Sequence, residues 1–261
     1  MAMIVHTTAL TAEDRVSLAY CVALANASSA ELVSLHANDD PDSSKAMPGA
    51  EEMLQEWGKD PGTVTFRKVV HNCCDDPVDT VLDAVRKLEP DLVAAAAHQR
   101  SVVSRLFGGS RSEALAHNLS IPTLLFPPKA TGFVDGSGAL NLRRMLVPAG
   151  DPEAAQAGVH RAAWLADLAG VTELEIVVLH VGDEHDVPAV RLPERPGWTM
   201  KVVNTEGDDI EQAIVSHARD ACLIVMATRG VDSVSDVVRG SHTDRVLHKA
   251  QCPLLSVPLA S

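Results

Sequence analysis

Residues 226–243, MATRGVDSVSDVVRGSHT, have the types and spacing best suited to hold an anion. The stretch leaves an apolar run, passes Gly230 and reaches Gly240 and Ser241, and Ser241 with Asp244 forms a helix-start signature. Backbone N–H groups at the start of a helix, approached through residues with little side chain, can bind phosphate. This order of strand, glycine loop and helix predicts an anion site, although an ordinary strand-to-helix connection can look the same.

The same layout occurs a second time in the chain, in residues 96–112, AAHQRSVVSRLFGGSRS. Ala96 and Ala227 are 131 positions apart, and so are Gly109 and Gly240. A helix-start signature follows both copies, and a proline-led final strand follows each at the same separation. Repetition of this kind indicates two copies of one structural unit.

Composition limits the kinds of molecule that this protein is expected to bind and the compartment in which it is expected to occur. The chain has 261 residues and a net charge of −13, which disfavours nucleic acid or an anionic membrane as the main partner. Its apolar runs have the length of strands, so no membrane span is expected, and the start MAMIVHTTAL lacks the features of a secretory signal. The five cysteines have no framework spacing, which favours reduced thiols in a cytoplasmic protein.

Strands alternate with helices in both halves, which predicts parallel sheets covered on both faces. The strands expected in the first half are 3–7, 31–36, 64–70, 92–96 and 123–126, and those in the second half are 145–147, 174–181, 200–203, 223–226 and 254–257. Proline, glycine and polar residues separate the two sets. The predicted organisation is a domain over 1–128, a linker over 129–141 and a domain over 142–261.

The repeated loop resembles the ATP-binding signature of the universal stress protein family, normally Gly-x-x-Gly-x9-Gly-Ser/Thr. Ala227 replaces the first glycine of the second copy, whereas Gly230, Gly240 and Ser241 match. The resemblance covers nearly the whole chain, as two family domains in tandem. It implies two doubly wound, Rossmann-like α/β domains, each with a parallel five-stranded sheet of order 3-2-1-4-5 and a ligand site at the switch point between strands one and four.

The resemblance also bears on how the two domains assemble. The fifth strand of each domain is an apolar edge that a solitary domain would need to cover. We therefore expect the two domains to pair through their last strands within one chain, as dimers of the family commonly do. A homodimer of the whole chain is also compatible with the resemblance.

The resemblance assigns the nucleotide site of the second domain to three segments. The assigned residues are Pro148, Ala149, Gly150 and Asp151 after the first strand, Val181 at the end of the second strand, and Met226, Ala227, Arg229, Gly230, Gly240, Ser241, His242 and Thr243 in the glycine loop. Gly150 stands where ATP binders of the family usually carry aspartate. Asp151 could replace that acid if the loop shifted, or it could only cap the helix that begins at Pro152. Arg229 could pair with a phosphate or lie in solvent.

The first domain departs further from the family pattern. His6, Thr7 and Thr8 stand at the end of its first strand and provide neither the usual proline nor the acid. Gln99 occupies the position of the second loop glycine, where a side chain hinders close approach of a phosphate. We therefore expect adenine-nucleotide binding, with ATP accompanied by Mg²⁺, in the second domain only.

Other residues that could carry chemistry have simpler interpretations. His71, Cys73 and Cys74 lie close together, but a structural zinc site needs a second ligand pair, so a loop before a helix cap is favoured over a metal site. His36 and His180 end equivalent strands, where we expect each to hydrogen-bond a neighbouring loop. The chain has no nucleophile elbow, no Walker lysine and no paired acid and base, so no catalytic residue and no metal ligand are assigned.

The sequence thus predicts a cytoplasmic stress-response protein that binds ATP in its second domain and acts as a sensor or regulator, with at most slow ATP hydrolysis. The alternative is a nucleotide-free tandem universal stress protein that acts as a dimerisation or protein-interaction scaffold, which Gly150 and Gln99 favour. An enzyme acting on a small molecule on the same fold is a third interpretation.

Overall fold

The computed structural model describes residues 1–72, 77–97, 119–127, 130–207, 209–228 and 242–259. The first half contains strands β1 (Met3–Thr7), β2 (Glu31–Ala37), β3 (Phe66–His71), β4 (Leu92–Ala96) and β5 (Thr123–Phe126). The second half contains β6 (Arg144–Pro148), β7 (Leu174–Val181), β8 (Trp198–Thr205), β9 (Leu223–Thr228) and β10 (Leu254–Pro258). The α-helices are α1 (Asp14–Ser28), α2 (Ala50–Glu56), α3 (Pro77–Leu88), α4 (Pro152–Leu168), α5 (Ile210–His217) and α6 (His242–Lys249).

All ten predicted strands are present, and their type follows from short apolar runs bounded by turn residues. β8 begins two residues earlier and ends two residues later than the predicted 200–203. β9 continues past Met226 to Thr228. The helix-start signature that follows the first copy of the glycine loop predicts a helix over 113–118, which lies outside the described residues.

The strands form one sheet of order β3-β2-β1-β4-β5-β10-β9-β6-β7-β8. The first half has the predicted order 3-2-1-4-5, and the second half repeats this order in reverse. Neighbouring strands are parallel except at the centre of the sheet, where β5 and β10 pair antiparallel through Leu125 and Leu254. The fifth strands thus lie in the middle of the sheet, and β3 and β8 form its two edges.

Apolar side chains cover both faces of the sheet because successive strand residues point to opposite sides. Ile4 contributes to the cluster on the face covered by α1 and α4, and Val5 contributes to the cluster on the face covered by α3, α5 and α6. The first cluster runs through both halves without a break, since it includes Leu18 of α1 and Val159 of α4. The two halves therefore share a hydrophobic core.

The segment between the halves is packed into this core. Phe133 is fully buried, and its ring stacks edge-on against Tyr20 with the ring centroids 4.7 Å apart. The backbone N–H of Thr131 donates to the carbonyl oxygen of Gln251 at 2.7 Å. The residues expected to form a linker therefore contact both halves. Among the described helices, none combines the length and the apolar character that crossing a bilayer requires.

Candidate functional site

The candidate site lies at the carboxyl ends of β6, β7 and β9. The chain leaves β6 for α4 on one face of the sheet, whereas α6, which follows β9, packs on the other face. A sheet whose neighbouring strands lead to opposite faces has a crevice between their carboxyl ends. The described residues Pro148, Ala149, Gly150, Val181 and Ala227 all come from the strand ends and turns that border this crevice.

The pairing of the two central strands ends earlier in the second half than in the first. The ladder between β6 and β9 consists of Met145 with Leu223 and of Leu146 with Ile224, and it stops two residues before the end of β6. In the first half the ladder between β1 and β4 continues to the last residue of β1. The last two residues of β6 therefore have no ladder partner on β9.

One residue explains this difference between the halves. Pro148 occupies the position that Thr7 has in the first half, 141 positions earlier. The Thr7 hydroxyl donates to the carbonyl oxygen of Ala94 on β4 at 3.2 Å and so bridges the two strands. Proline has neither a hydroxyl nor a backbone N–H with which to make such a bridge.

The turn after β6 has a defined geometry. The N–H of Ala149 donates to the carbonyl oxygen of Leu179 at 2.8 Å, and His180 Nδ1 donates to the carbonyl oxygen of Ala149 at 3.0 Å. Gly150 is exposed, and a Cβ built on it would have no neighbour within 4 Å. Asp151 accepts the N–H of Ala154 at 2.9 Å, so its predicted role as the helix cap is confirmed.

The neighbouring strand ends contribute mainly apolar surface. Val181 and Ala227 are half-buried, whereas Met226 is 7% exposed. The extension of β9 places Ala227 inside the ladder, opposite Val257 of β10. The backbone at the end of β9 is therefore held on its β10 side and faces the crevice on its β6 side.

The predicted glycine loop is described only at its two ends, in residues 226–228 and 242–243. Arg229, Gly230, Gly240 and Ser241 lie outside the described residues. His242 begins α6 and is exposed, and its Nδ1 lies 2.7 Å from Glu211 Oε1 on α5. Thr243 is 3% exposed.

Glu211 is a residue that sequence reasoning did not connect with the loop. Arg245 Nε also donates to its Oε1 at 2.7 Å, so α5 holds the first turn of α6 through one carboxylate. Burial by itself would raise the pKa of Glu211, but the hydrogen bonds from His242 and Arg245 outweigh burial and lower it. Because Glu211 and His242 lie 31 positions apart, spacing along the chain did not reveal this contact.

The equivalent turn in the first half is closed by its own carboxylate. Asp14 is 1% exposed, and its Oδ2 accepts the hydroxyl of Thr8 at 3.0 Å and the N–H groups of Ala9 and Thr11 at 2.9 Å each. This hydroxyl and these two N–H groups donate to Asp14, so they are not available to bind an anion. In the sequence, Thr11 with Asp14 has only the pattern of a helix start, and the second half has Ala155 in place of Asp14.

His6 is also part of the interior in the first half. Its Nε2 lies 2.8 Å from the hydroxyl of Ser17, and its Nδ1 lies 3.2 Å from that of Ser34. Burial lowers the pKa of His6 to about 4, and attraction to Asp14 only partly opposes this shift. His6 is therefore a neutral core residue at physiological pH.

The expectation for His36 and His180 is confirmed, since their Nδ1 atoms bond the carbonyl oxygens of Thr8 and Ala149 in the adjacent turns. His71 ends β3, whereas Cys73 and Cys74 lie outside the described residues. Within the described parts of the chain, no three His, Cys, Asp or Glu side chains are grouped as metal ligands.

The described cysteines are free thiols in protected surroundings. They are Cys21, Cys222 and Cys252. Burial raises the pKa of all three, and that of Cys252 to about 12. Because the thiolate is the reactive form, these groups are poor nucleophiles at neutral pH.

Comparisons with known proteins agree with this architecture. The model of the universal stress protein family matches residues 4–127 and 194–258. A crystallised universal stress protein from Archaeoglobus fulgidus DSM 4304 is 19% identical and superposes with a TM-score of 0.67, over 99% of this chain and 97% of its own. A functionally unknown protein from Pseudomonas aeruginosa PAO1 is 15% identical with a TM-score of 0.63, over 98% of this chain and 92% of its own.

The fold is not confined to stress proteins. The cytoplasmic domain of a prokaryotic cation chloride cotransporter is 10% identical and superposes with a TM-score of 0.55, over 98% of this chain and 94% of its own. No curated protein sequence matches this chain. At such identities the solved structures show the fold alone, so function must be argued from the site.

Proposed function

Because this chain belongs to the universal stress protein family, we propose that it is a stress-response protein that binds an adenine nucleotide in its second half. It acts as a sensor or regulator whose conformation or partners depend on the bound nucleotide. The described residues offer no paired acid and base in the crevice, so we assign no catalytic residue and expect at most slow hydrolysis of ATP.

The observation that carries the proposal is the early end of the ladder between β6 and β9, beside the exposed Gly150. The ladder stops after Leu146 and Ile224, and a Cβ built on Gly150 would meet no atom within 4 Å. The glycine loop that follows β9 has the sequence pattern of a phosphate site, and backbone amides can hold phosphates in a protein with a net charge of −13. The first half binds no nucleotide, because Asp14 already accepts hydrogen bonds from the donors of the equivalent turn.

Mg²⁺ would reach this site with the triphosphate. Asp151 caps α4 with its carboxylate, and the described residues hold no cluster of metal ligands. Phosphate oxygens and water, which Mg²⁺ commonly keeps as ligands, would therefore hold most of its coordination sphere.

The two halves act as paired domains within one chain. The proposed boundaries are 1–128 for the first domain and 142–261 for the second, with a linker over 129–141 between them. The antiparallel contact of Leu124 with Leu255 and of Leu125 with Leu254 supports pairing through the last strands. A cytoplasmic location fits the free thiols of the described residues.

A nucleotide-free scaffold remains the competing function. It is favoured by Gly150, which removes the acid that ATP binders of the family usually carry, and by the commitment of Asp151 to the cap of α4. In that case the crevice binds no ligand, and partner proteins bind elsewhere on the sheet or on its helices.

Calorimetric titration of ATP with Mg²⁺ separates the two functions. The proteins compared are the full-length chain, Gly240→Val and the matched control Gly109→Val, which changes the equivalent glycine of the first copy. We expect about one ATP per chain in the parent and in Gly109→Val, and loss of binding in Gly240→Val, because a branched side chain blocks close approach of the phosphates.

Other outcomes of this titration contradict the proposal in different ways. Two ATP molecules per chain would show that the first half is also a site. Absence of both heat and thermal stabilisation at saturating ATP would exclude nucleotide binding and leave the scaffold function.

A further inference from the structure

The two halves differ at the end of their second strands, where His36 and His180 occupy equivalent positions 144 residues apart. The Nδ1 atom of each ring faces a carbonyl oxygen, that of Thr8 at 2.8 Å and that of Ala149 at 3.0 Å. A carbonyl oxygen only accepts hydrogen bonds, so Nδ1 carries the proton and Nε2 of the neutral ring is an acceptor.

In the first half this acceptor is satisfied within the chain. The side-chain amide of Asn38 donates from Nδ2 to His36 Nε2 at 3.2 Å. The register partner of His36 on β3 is Val70, which adds no polar atom. Both ring nitrogens of His36 are therefore hydrogen-bonded within the chain, and neither is available to a ligand.

In the second half both surrounding residues are changed. Gly182 replaces Asn38, again 144 positions later, and Asn204 replaces Val70 as the register partner. His180 is 5% exposed, and its Nε2 has no hydrogen-bond partner. Oδ1 of Asn204 is likewise buried without a partner.

The orientation of Asn204 makes it a second acceptor at the same place. Its Nδ2 lies 3.4 Å from the carbonyl oxygen of Gly182, which sets which end of the amide is the donor. Register partners on parallel strands project from the same face of the sheet. His180 Nε2 and Asn204 Oδ1 are thus two lone-pair acceptors on one face, and both lack a donor.

Gly182 carries no side chain beside this nitrogen. A Cβ built on Gly182 would lie 3.2 Å from His180 Nε2, and apart from its chain neighbours it would meet only that imidazole within 4 Å. An atom at this point is at hydrogen-bond distance from the unpaired nitrogen. The φ of Gly182 is +146°, a conformation that favours glycine.

We propose that His180 Nε2 and Asn204 Oδ1 receive the amino group of the bound base and make the site selective for adenine. This inference rests on the nucleotide function proposed above. An amino group offers two N–H donors for two acceptors, whereas the carbonyl oxygen of hypoxanthine would place a third acceptor against them. The pair lies beside the crevice, since His180 holds Ala149 and directly precedes Val181.

The test compares binding of ATP and of inosine triphosphate, which carries the carbonyl oxygen, to the full-length protein. We expect ATP to bind at least about tenfold more tightly, because a site built to hydrogen-bond a donor rejects an analogue that lacks it. In Asn204→Val this preference should fall to less than about threefold as one acceptor is lost. Valine is the residue that the first half carries at this position, so the strand tolerates it.

Asn38→Ala is the matched control, because it disturbs the equivalent histidine in the first half. It should leave both affinities unchanged. Equal affinity of the parent for the two nucleotides would overturn the assignment while leaving the nucleotide function intact. A preference that persists in Asn204→Val would also overturn it. Absence of binding of either nucleotide would instead refute the nucleotide function and this inference together.

Discussion

At the scale of single residues, equivalent positions of the two halves serve different purposes. The first half buries Asp14 and His6, and Asp14 Oδ2 and both ring nitrogens of His6 bond hydroxyl and amide groups of the same half. The second half has Ala155 and Val147 at these positions. Among its described residues, the buried side-chain atoms without a partner are His180 Nε2 and Asn204 Oδ1. These groups of the first half thus hold structure, whereas the two acceptors of the second half are available to a ligand.

The buried histidine makes the stability of the protein depend on pH. Because burial lowers the pKa of His6 from 6.5 to about 4, the unfolded state binds more protons than the folded state between these values. The contribution of His6 is therefore fully present above pH 6.5 and is lost as the pH falls towards 4. The loss amounts to about 3 kcal/mol at most.

The triple variant His6→Val, Ser17→Gly, Ser34→Val isolates this contribution. The second half carries Val147, Gly158 and Val178 at the equivalent positions, so this combination suits this part of the fold. Urea unfolding at several pH values should show a smaller loss of stability on acidification in the variant than in the parent. Identical pH dependence in the two proteins would contradict the neutral state of His6.

At the scale of elements, α4 packs closely on β6 at Gly158. A Cβ at Gly158 of α4 would lie 2.7 Å from Val147 Cγ1 on β6. In the first half Ser17 occupies this position and reaches His6 instead. The absence of a side chain at Gly158 therefore allows this packing against Val147.

Gly158→Ala should therefore destabilise the protein. Alanine in a helix interior normally stabilises by about 1 kcal/mol over glycine, but overpacking a close contact costs about 1–3 kcal/mol. We expect a net loss of about 1 kcal/mol in guanidinium unfolding, from the balance of these two terms. Gly136→Ala is the control, because a Cβ there meets no atom within 4 Å. A Gly158→Ala variant more stable than the parent would show that α4 can move away.

At the scale of the whole molecule, the two halves share one sheet and one core. The sheet runs without interruption across β5 and β10, and the core on the α1 and α4 face includes residues of both halves. Gly132, in the segment between the halves, lies close to residues of both of them. A Cβ there would lie 2.7 Å from Pro253 Cδ and 3.0 Å from both Tyr20 Oη and the carbonyl oxygen of Cys222.

Gly132→Ala should lower the stability of both halves together, by about 1–3 kcal/mol, because Tyr20 and Pro253 would be forced apart. The experiment is thermal unfolding followed by far-UV circular dichroism and by the fluorescence of Trp57, with Trp164 and Trp198 replaced by phenylalanine. Both signals should shift by the same amount and keep one midpoint. Two separate transitions would show that the halves unfold independently.

The sequence by itself determined the repeat, the order of strands and helices, and the family. These features depend on local hydrogen bonding and on the spacing of apolar residues, which a linear pattern records. For the same reason Asp151 was recognised as a helix cap and His180 as a strand-end histidine, since each bonds a turn that its own strand or helix adjoins. The family resemblance added the strand order of each half.

Only the tertiary structure decided which polar side chains have hydrogen-bond partners within the chain. Asn204 meets His180 through the register of β7 and β8, and Glu211 meets His242 through the packing of α5 on α6. The early end of the pairing between β6 and β9 likewise depends on the register of the sheet. Such contacts join residues tens of positions apart, and their geometry is set by the packing of the whole sheet, which no local pattern records.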